Sequence, residues 1–138
     1  MSARIAVGMS GDDAGVDSFA EAAARAAMGL GGGGCDLALV FAGSSNLEHA
    51  GAGMEAVAER LRPAAAVGCG AQGVVGDGRE LETGGVTVWA ASLQGADVQP
   101  FRAEALPMGE EQVVVCLRTE VGVGWRRRWN CQPSLPRP

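Results

Sequence analysis

The sequence has no lysine, no tyrosine and a single histidine, and aromatic residues make up only 4% of it. All eleven basic side chains are therefore Arg, and the abundance of Ala, Gly and Arg is typical of GC-rich coding rather than of one function. Hydrophobic residues still make up 47% of the 138 residues, which is enough for one folded domain. We therefore predict a single thin core built from small side chains.

Long apolar segments are also absent. No stretch reaches the 18 or more continuous apolar residues that a membrane-spanning helix requires, so the sequence predicts no such helix. Met1 leads directly into a strand pattern, without the basic leader and apolar stretch of a secretory signal peptide. These features are typical of a cytoplasmic protein, whose thiols stay reduced.

Positive charge is scarce in most of the chain, whose formal net charge is −5. All sixteen acidic residues lie within residues 1–120, whereas residues 121–138 contain four Arg and no acid. An acidic body disfavours binding to nucleic acid or to a membrane surface, because both require clustered positive charge. The run Arg126–Arg128 between Trp125 and Trp129 could stack on nucleic acid, but beside an acidic body we predict no nucleic-acid or membrane partner.

The four cysteines, at positions 35, 69, 116 and 131, form no C-x-x-C motif and are widely spaced. This spacing predicts neither a metal site nor a dithiol redox site, and nothing else in the sequence indicates a cofactor. The expected role is that of three small buried hydrophobic residues and one cysteine in the C-terminal tail.

Apolar periodicity predicts an α/β fold in which helices pack on a layered, mixed β-sheet. The capping boxes Ser18-x-x-Glu21 and Ser45-x-x-Glu48 are expected to open the two helices, and Pro63 to end the second. A continuous apolar run predicts that the second strand is central and covered on both faces. The order is β-α-β-α-β, with parallel strands first and antiparallel strands after. The predicted strands are Ala3–Met9, Leu37–Phe41, Ala65–Cys69, Val86–Leu93, Asp97–Leu106 and Gln112–Leu117.

The segment Val67–Glu82 contains five glycines, one cysteine and one amide, and it leaves through two carboxylates. Glycine lets a ligand or another backbone approach closely, so this segment is either a small-ligand loop or a tight structural turn. Glu80 and Glu82 are two residues apart and on a strand would share a face. They are candidates for acid–base chemistry, for holding a ligand ammonium group, or for a solvated strand start.

Cys69 is the one candidate nucleophile, and it would need a base to form its thiolate. The only histidine, His49, lies in the first turns of the second helix, where the helix dipole disfavours its protonated form. A cysteine at the end of a buried strand should also be desolvated. We therefore predict that Cys69 is packed and is not a nucleophile.

The predicted ligand site lies where the glycine-rich segment meets the carboxyl ends of the parallel strands. Gly43-Ser44-Ser45-Asn46 leaves a strand and opens a helix with free N–H groups, so its serines either bind an anion or cap the helix. The predicted ligand-binding residues are Ser44, Ser45, Gly68, Cys69, Gln72, Gly73, Glu80 and Glu82.

Taken together, these segments resemble the N-terminal part of the FIST sensory domain of bacterial signal-transduction proteins over about residues 3–111. The resemblance rests on an Ala-rich first helix, on D-L-A-L-V-F at Asp36–Phe41 and on a helix ending A-E-R-L at Leu61. The best-marked part is V-G-C-x-x-x-G-V-x-G-x-x-x-E-x-E at Val67–Glu82, followed by V-Q-P-F-R from Val98. Gly70 stands where the family more often has Thr or Ser, which removes one hydroxyl that could contact a ligand.

The resemblance implies a non-catalytic, cytoplasmic input module that binds small molecules such as amino acids and acts through a signalling output domain or protein. It also implies that residues 1–111 are a partial sensory domain and that residues 112–138 are an atypical tail, frame-altered or disordered. A truncated sheet would leave a free edge strand, so we expect the chain either to be marginally stable or to self-associate into a homo-oligomer. The alternatives are a small cysteine-dependent hydrolase or transferase and a fragment without function.

Overall fold

The computed structural model describes residues 2–11, 14–99, 101–108 and 111–118. The chain divides into two compact units, Met1–Val98 and Gln99–Pro138. The first unit contains a four-stranded sheet with the strand order β1-β6-β2-β3. The strands of this sheet are β1 (Ala3–Ser10), β2 (Leu37–Gly43), β3 (Ala65–Ala71) and β6 (Val86–Leu93).

The predicted α/β fold with a mixed sheet is confirmed. β2 and β3 run parallel, whereas β6 is antiparallel to both of its neighbours, β1 and β2. The antiparallel strand that comes last along the first unit therefore lies inside the sheet, between the first two strands. As a result β1 and β3 are the two edge strands.

The first helix, α1 (Val16–Leu30), packs on the sheet through the apolar stripe that its sequence predicts. Its predicted capping box is wrong, because the helix begins two residues before Ser18 and has no side-chain cap. Ser18 Oγ instead accepts a hydrogen bond of 3.0 Å from the N–H of Ala14. Glu21 accepts one of 2.6 Å from Ser10 Oγ. The buried residues of the stripe include Phe19, Ala22, Ala23, Ala26 and Leu30.

The second helix is entered through a 3₁₀ segment, Ser44–His49, which leads directly into α2 (Ala50–Leu61). The second capping box is also wrong, since Gly43 occupies the cap position and no side chain caps the segment. The helix ends before Pro63, as predicted, with Arg62 in a left-handed conformation at φ 45°. Its buried side chains include Val57, Ala58 and Leu61.

Both helices cover the same face of the sheet, and small residues let them approach it closely. A Cβ atom at Gly8 would lie 2.0 Å from Ala22 O and 2.5 Å from Ala26 N, so the backbone of α1 rests directly on β1. The core between the layers consists mainly of Ala and Val, in agreement with the predicted thin core. The prediction that β2 is covered on both faces is wrong, because Phe41, which faces away from the helices, is 37% exposed.

The glycine-rich segment continues from β3 into a small hairpin that the sequence analysis did not predict. Its strands are β4 (Val74–Gly76) and β5 (Arg79–Leu81), which pair antiparallel. The two turn residues, Asp77 at φ 49° and Gly78 at φ 69°, both have positive φ. This is a type I′ turn, for which the sequence Asp-Gly is a strong signal.

The second unit contains one described hairpin, in which β7 (Phe101–Met108) pairs antiparallel with β8 (Glu111–Arg118). The strand predicted at Gln112–Leu117 is confirmed, whereas the one predicted from Asp97 begins only at Phe101. The pairing crosses the predicted boundary after residue 111. The Trp- and Arg-rich run 125–129 lies outside the described residues. Neither α1 nor α2, the α-helices of the described part of the chain, is long and apolar enough to cross a membrane.

Candidate functional site

The candidate site lies at one end of the four-stranded sheet, where the carboxyl ends of three strands meet a loop. Gly43 and Ala71, the last residues of β2 and β3, are register partners. Gly11 follows β1 at this end of the sheet. The loop 82–85 enters β6 at the same end, because Ser10 pairs with Val86. The structure therefore places five residues of the predicted site at this end of the sheet: Ser44, Ser45, Gln72, Gly73 and Glu82.

The two serines hold the loop 82–85 against the end of β2. Ser44 Oγ donates a hydrogen bond of 2.9 Å to Thr83 O, and Ser45 Oγ donates a longer one of 3.4 Å to the same oxygen. The N–H of Gly43 donates to Gly85 O at 2.9 Å, and Asn46 Nδ2 donates to Gly85 O at 3.4 Å. Neither serine caps the 3₁₀ segment, and both hydroxyls instead hold the loop in place.

A cavity of about 140 Å³ opens beside this clamped loop. It is smaller than the roughly 300–1,000 Å³ of drug-sized pockets, so it suits a ligand group of a few non-hydrogen atoms. The exposed Glu82 is the one acidic residue among those that line it. The lining residues are Gly11, Leu81, Glu82, Thr83 and Gly84.

The cavity lining offers a ligand few polar groups. Glu82 carries a carboxylate, and the Thr83 carbonyl already accepts bonds from Ser44 and Ser45. Asn46 Oδ1 has no hydrogen-bond partner among the described residues, but Asn46 is fully buried and does not line the cavity. Glu82 is therefore the one charged group that the lining residues offer to a ligand. No group of three or more metal-ligating side chains occurs among the described residues.

Of the eight predicted site residues, only Glu82 is among those that line the cavity. Gly68 and Cys69 are adjacent in β3 and so lie on opposite faces of the sheet. A Cβ atom at Gly68 would lie 2.9 Å from Met54 Sδ, so this glycine makes room for α2. Glu80 sits in the hairpin opposite Val75, and β5 ends at residue 81. The predicted shared strand face of Glu80 and Glu82 is therefore wrong, because Glu82 lies beyond the strand.

The predicted burial of Cys69 is also wrong, because its thiol is exposed. The reason is that β3 is an edge strand, where even Val67 is 50% exposed. Cys69 makes no hydrogen bond or ion pair with any described residue. The Nε2 atom of His49 lies 3.3 Å from Glu48 Oε1, on a neighbouring side chain. Among the described residues, no base is hydrogen-bonded to the thiol of Cys69.

Cys35 behaves as the sequence predicts. It is buried, and its Sγ donates a hydrogen bond of 3.3 Å to Leu37 O. Burial raises the pKa of the Cys35 thiol, since the charged thiolate loses its hydration. The side chains of Cys116 and Cys131 lie outside the described residues.

Sequence reasoning missed four of the cavity residues, at positions 11, 81, 83 and 84. A signal for Leu81 was present, since the Asp-Gly turn predicts a hairpin that would return the chain to this end of the sheet. Thr83 contributes through its backbone carbonyl, and backbone acceptors leave no signature in a sequence. Gly11 became part of the site only through the pairing of β1 with β6, which local patterns do not specify.

No model of a known protein family matches the chain. The chain is 35% identical, over 116 residues, to two uncharacterized proteins from two strains of Mycobacterium tuberculosis. The match covers 83% of this chain but only 30% of each relative, so the chain spans less than a third of the length of these curated relatives. No solved structure matches the chain.

Proposed function

We propose that this chain is a non-catalytic, cytoplasmic sensing module of the FIST type, which binds a small molecule carrying an ammonium group. The observation that supports this proposal is the cavity at the carboxyl ends of the parallel strands, where Glu82 supplies a negative charge. In open α/β sheets, ligands usually bind in a crevice outside the carboxyl ends of the strands.

A free amino acid is the class of ligand that fits this chemistry best. Its ammonium group would form a charge-assisted hydrogen bond with the Glu82 carboxylate. Gln72 follows β3 at the same end of the sheet and offers an amide donor for the ligand carboxylate. The cavity of about 140 Å³ accommodates the polar head of such a ligand and leaves its side chain facing solvent.

The proposed module would pass its signal to an output domain supplied by a longer chain or by a separate protein. The length of the mycobacterial relatives supports this part of the proposal, because most of their chain lies outside the matched 116 residues. The ligand would act by tightening the loop 82–85, which connects the cavity to strand β6.

A thermal-shift screen with the common amino acids tests the proposal directly. Each amino acid is paired with the carboxylic acid that lacks the ammonium group, since only the amine is expected to stabilise the chain. A ligand at about 100 times its Kd should raise the free energy of unfolding by about 2.7 kcal/mol. Glu82→Gln should abolish the shift, whereas Glu80→Gln, which removes a carboxylate from the neighbouring hairpin, should preserve it.

Ligand-titration NMR locates the binding site independently of stability. Shifts are expected at Gly11, at Ser44 and Ser45, and through residues 81–84. Shifts confined to the opposite end of the sheet, around Gly31 to Gly34, would overturn the proposed site. A stabilising amine whose effect survives Glu82→Gln would overturn the assigned role of that carboxylate.

A further inference from the structure

The face of the sheet that carries no helix is apolar and uncharged. Because register partners share a face, the strand pairings place its residues in three successive rows of four. None of these positions carries a charged side chain, although 20% of the chain is charged. The rows are Ile5, Ala91, Leu37 and Ala65; Val7, Trp89, Leu39 and Val67; and Met9, Thr87, Phe41 and Cys69.

The hairpin β4–β5 covers only one end of this surface. A Cβ atom at Gly76 would lie 3.1 Å from Met9 Cβ and 3.2 Å from Thr87 Cγ2, so β4 rests on these two residues. Both are accordingly buried, at 0% and 4% exposure. Ala91 and Ala65 are also buried, at 0% and 3% exposure. The larger apolar side chains of the three rows are otherwise exposed or half-buried, and we call them the open face: Ile5, Val7, Leu37, Leu39, Phe41, Val67 and Trp89.

The exposure of the open face stands out against the rest of the first unit. Ile5 is 54% exposed and Val67 is 50% exposed, and Val7 and Phe41 are each 37% exposed. Four of the large hydrophobic side chains that are exposed in the described part of the chain therefore share one flat surface. Monomeric proteins rarely expose a contiguous apolar patch larger than a few hundred Å², and patches near that size are often functional.

We propose that the open face is the surface through which two copies of this chain associate, with their sheets packed face to face. In a two-fold interface each patch meets the same patch on its partner, so any charge on it would face a like charge or be buried. A chain with a net charge of −5 would repel its copy at most surfaces. The open face avoids this repulsion because it carries no charge, and sheet-on-sheet packing needs only flat apolar surfaces about 10 Å apart.

The size of the patch sets the strength of the association. Four strands about 4.8 Å apart and three rows about 6.7 Å apart span roughly 400 Å², and because the hairpin covers the positions of Met9 and Thr87, roughly 300 Å² per copy is open. Two copies would then bury roughly 600 Å², which is below the roughly 1,200–2,000 Å² of stable interfaces. The dimer should therefore be reversible and dependent on concentration, with the monomer dominant at low concentration.

Sedimentation of the full chain across the micromolar range tests this proposal. The mass should rise with concentration from 14.0 kDa toward that of a dimer. Phe41→Glu should raise the dimer dissociation constant by about tenfold or more, because it buries an unpaired carboxylate in the interface. Met28→Glu is the matched control, since Met28 is 72% exposed on α1, the helix that covers the other face.

Phe41→Glu also separates face packing from pairing of strand edges. Phe41 lies in β2, which has a partner on both sides, so edge pairing would be insensitive to this change. Circular dichroism of each variant establishes that it is folded, and Val67→Glu, on an edge strand, provides a second folded variant that should also weaken the dimer. A mass that stays at one chain throughout, or a dimer that Phe41→Glu and Met28→Glu affect equally, would overturn the proposal.

Alkylation of Cys69 gives a second readout that does not depend on mass. Its exposed thiol lies in the same row as Phe41, at the rim of the open face. Alkylation at this residue, located by peptide mass spectrometry, should slow as the protein concentration rises, and Phe41→Glu should remove that dependence. A rate that is independent of concentration in the unaltered chain would contradict face-to-face association.

Discussion

The two faces of the four-stranded sheet carry equally apolar sequences but have different surroundings. The face toward α1 and α2 is built from Ala, Gly and Val, and residues such as Val88 and Ala38 on it are fully buried. The other face carries larger side chains, such as Ile5 and Trp89, and neither α1 nor α2 lies over it. Hydrophobic composition alone therefore does not indicate which face is covered. The size of the side chains does, because close helix packing requires small residues.

The sharpest contrast between the two faces is offered by two phenylalanines. Phe19 on α1 is 1% exposed, whereas Phe41 on the open face is 37% exposed. Phe19→Ala should lower the free energy of unfolding by about 3–5 kcal/mol through lost burial and the cavity left behind. Phe41→Ala should cost clearly less, because much of its ring already contacts water. Urea unfolding at low protein concentration measures both, and equal losses would contradict the assigned difference in packing.

Two glycines test how closely the helix approaches the covered face. Gly8→Ala would push a methyl group to within 2.0 Å of Ala22 O, so the helix must move away from β1. We expect a loss of about 1–3 kcal/mol, as for other overpacked sites. Gly34→Ala is the control, since a Cβ atom there meets nothing within 4 Å, and its effect should stay within about 0.5 kcal/mol. A harmless Gly8→Ala would mean that α1 lies farther from the sheet.

The sequence predicted the elements of the first unit more successfully than their neighbours. Apolar spacing located α1 correctly, since Phe19, Ala22 and Ala26 recur at the helical period and are buried. It could not place β6 between β1 and β2, because pairing between distant strands leaves no local pattern. The exposure of β3 follows from that same placement, which leaves it at an edge.

The candidate site was predictable in position but not in detail. The predicted strand order places Ser44, Ser45 and Gln72 just beyond the carboxyl ends of β2 and β3, and the structure has them there. The hydroxyls of the two serines were expected at a helix cap, but they donate to Thr83 O on a loop 38 and 39 residues away in sequence. A capping box and a loop clamp use the same residue types, so only the tertiary contact distinguishes them.

The two described cysteine side chains extend the comparison to a pH-dependent effect of smaller size. Burial raises the pKa of Cys35, so the folded state keeps its proton at a pH where the unfolded thiol, with a pKa of about 8.5, has lost it. The contribution of Cys35 to stability should therefore be fully present below about pH 8.5. It should decline as the pH rises above the pKa of the unfolded thiol toward the higher pKa of the folded one. The absence of lysine and tyrosine leaves few other groups to titrate in this range.

Thermal melts between neutral and alkaline pH measure this decline. Cys35→Ala should flatten the alkaline part of the curve, although it lowers stability at neutral pH through lost packing. Cys69→Ala, which alters an exposed thiol, should leave the alkaline decline in place. An identical alkaline decline in the Cys35→Ala variant would show that another group controls it.

Hydroxyl-radical footprinting of Phe19 and Phe41 in the same sample tests the central claim, that one face of the sheet is packed and the other is open. The two rings have the same intrinsic reactivity, so the ratio of their labelling rates reports their exposure. At low protein concentration Phe41 should label several times faster than Phe19, and its rate alone should fall as the concentration rises. Equal labelling of the two rings at low concentration would contradict the account.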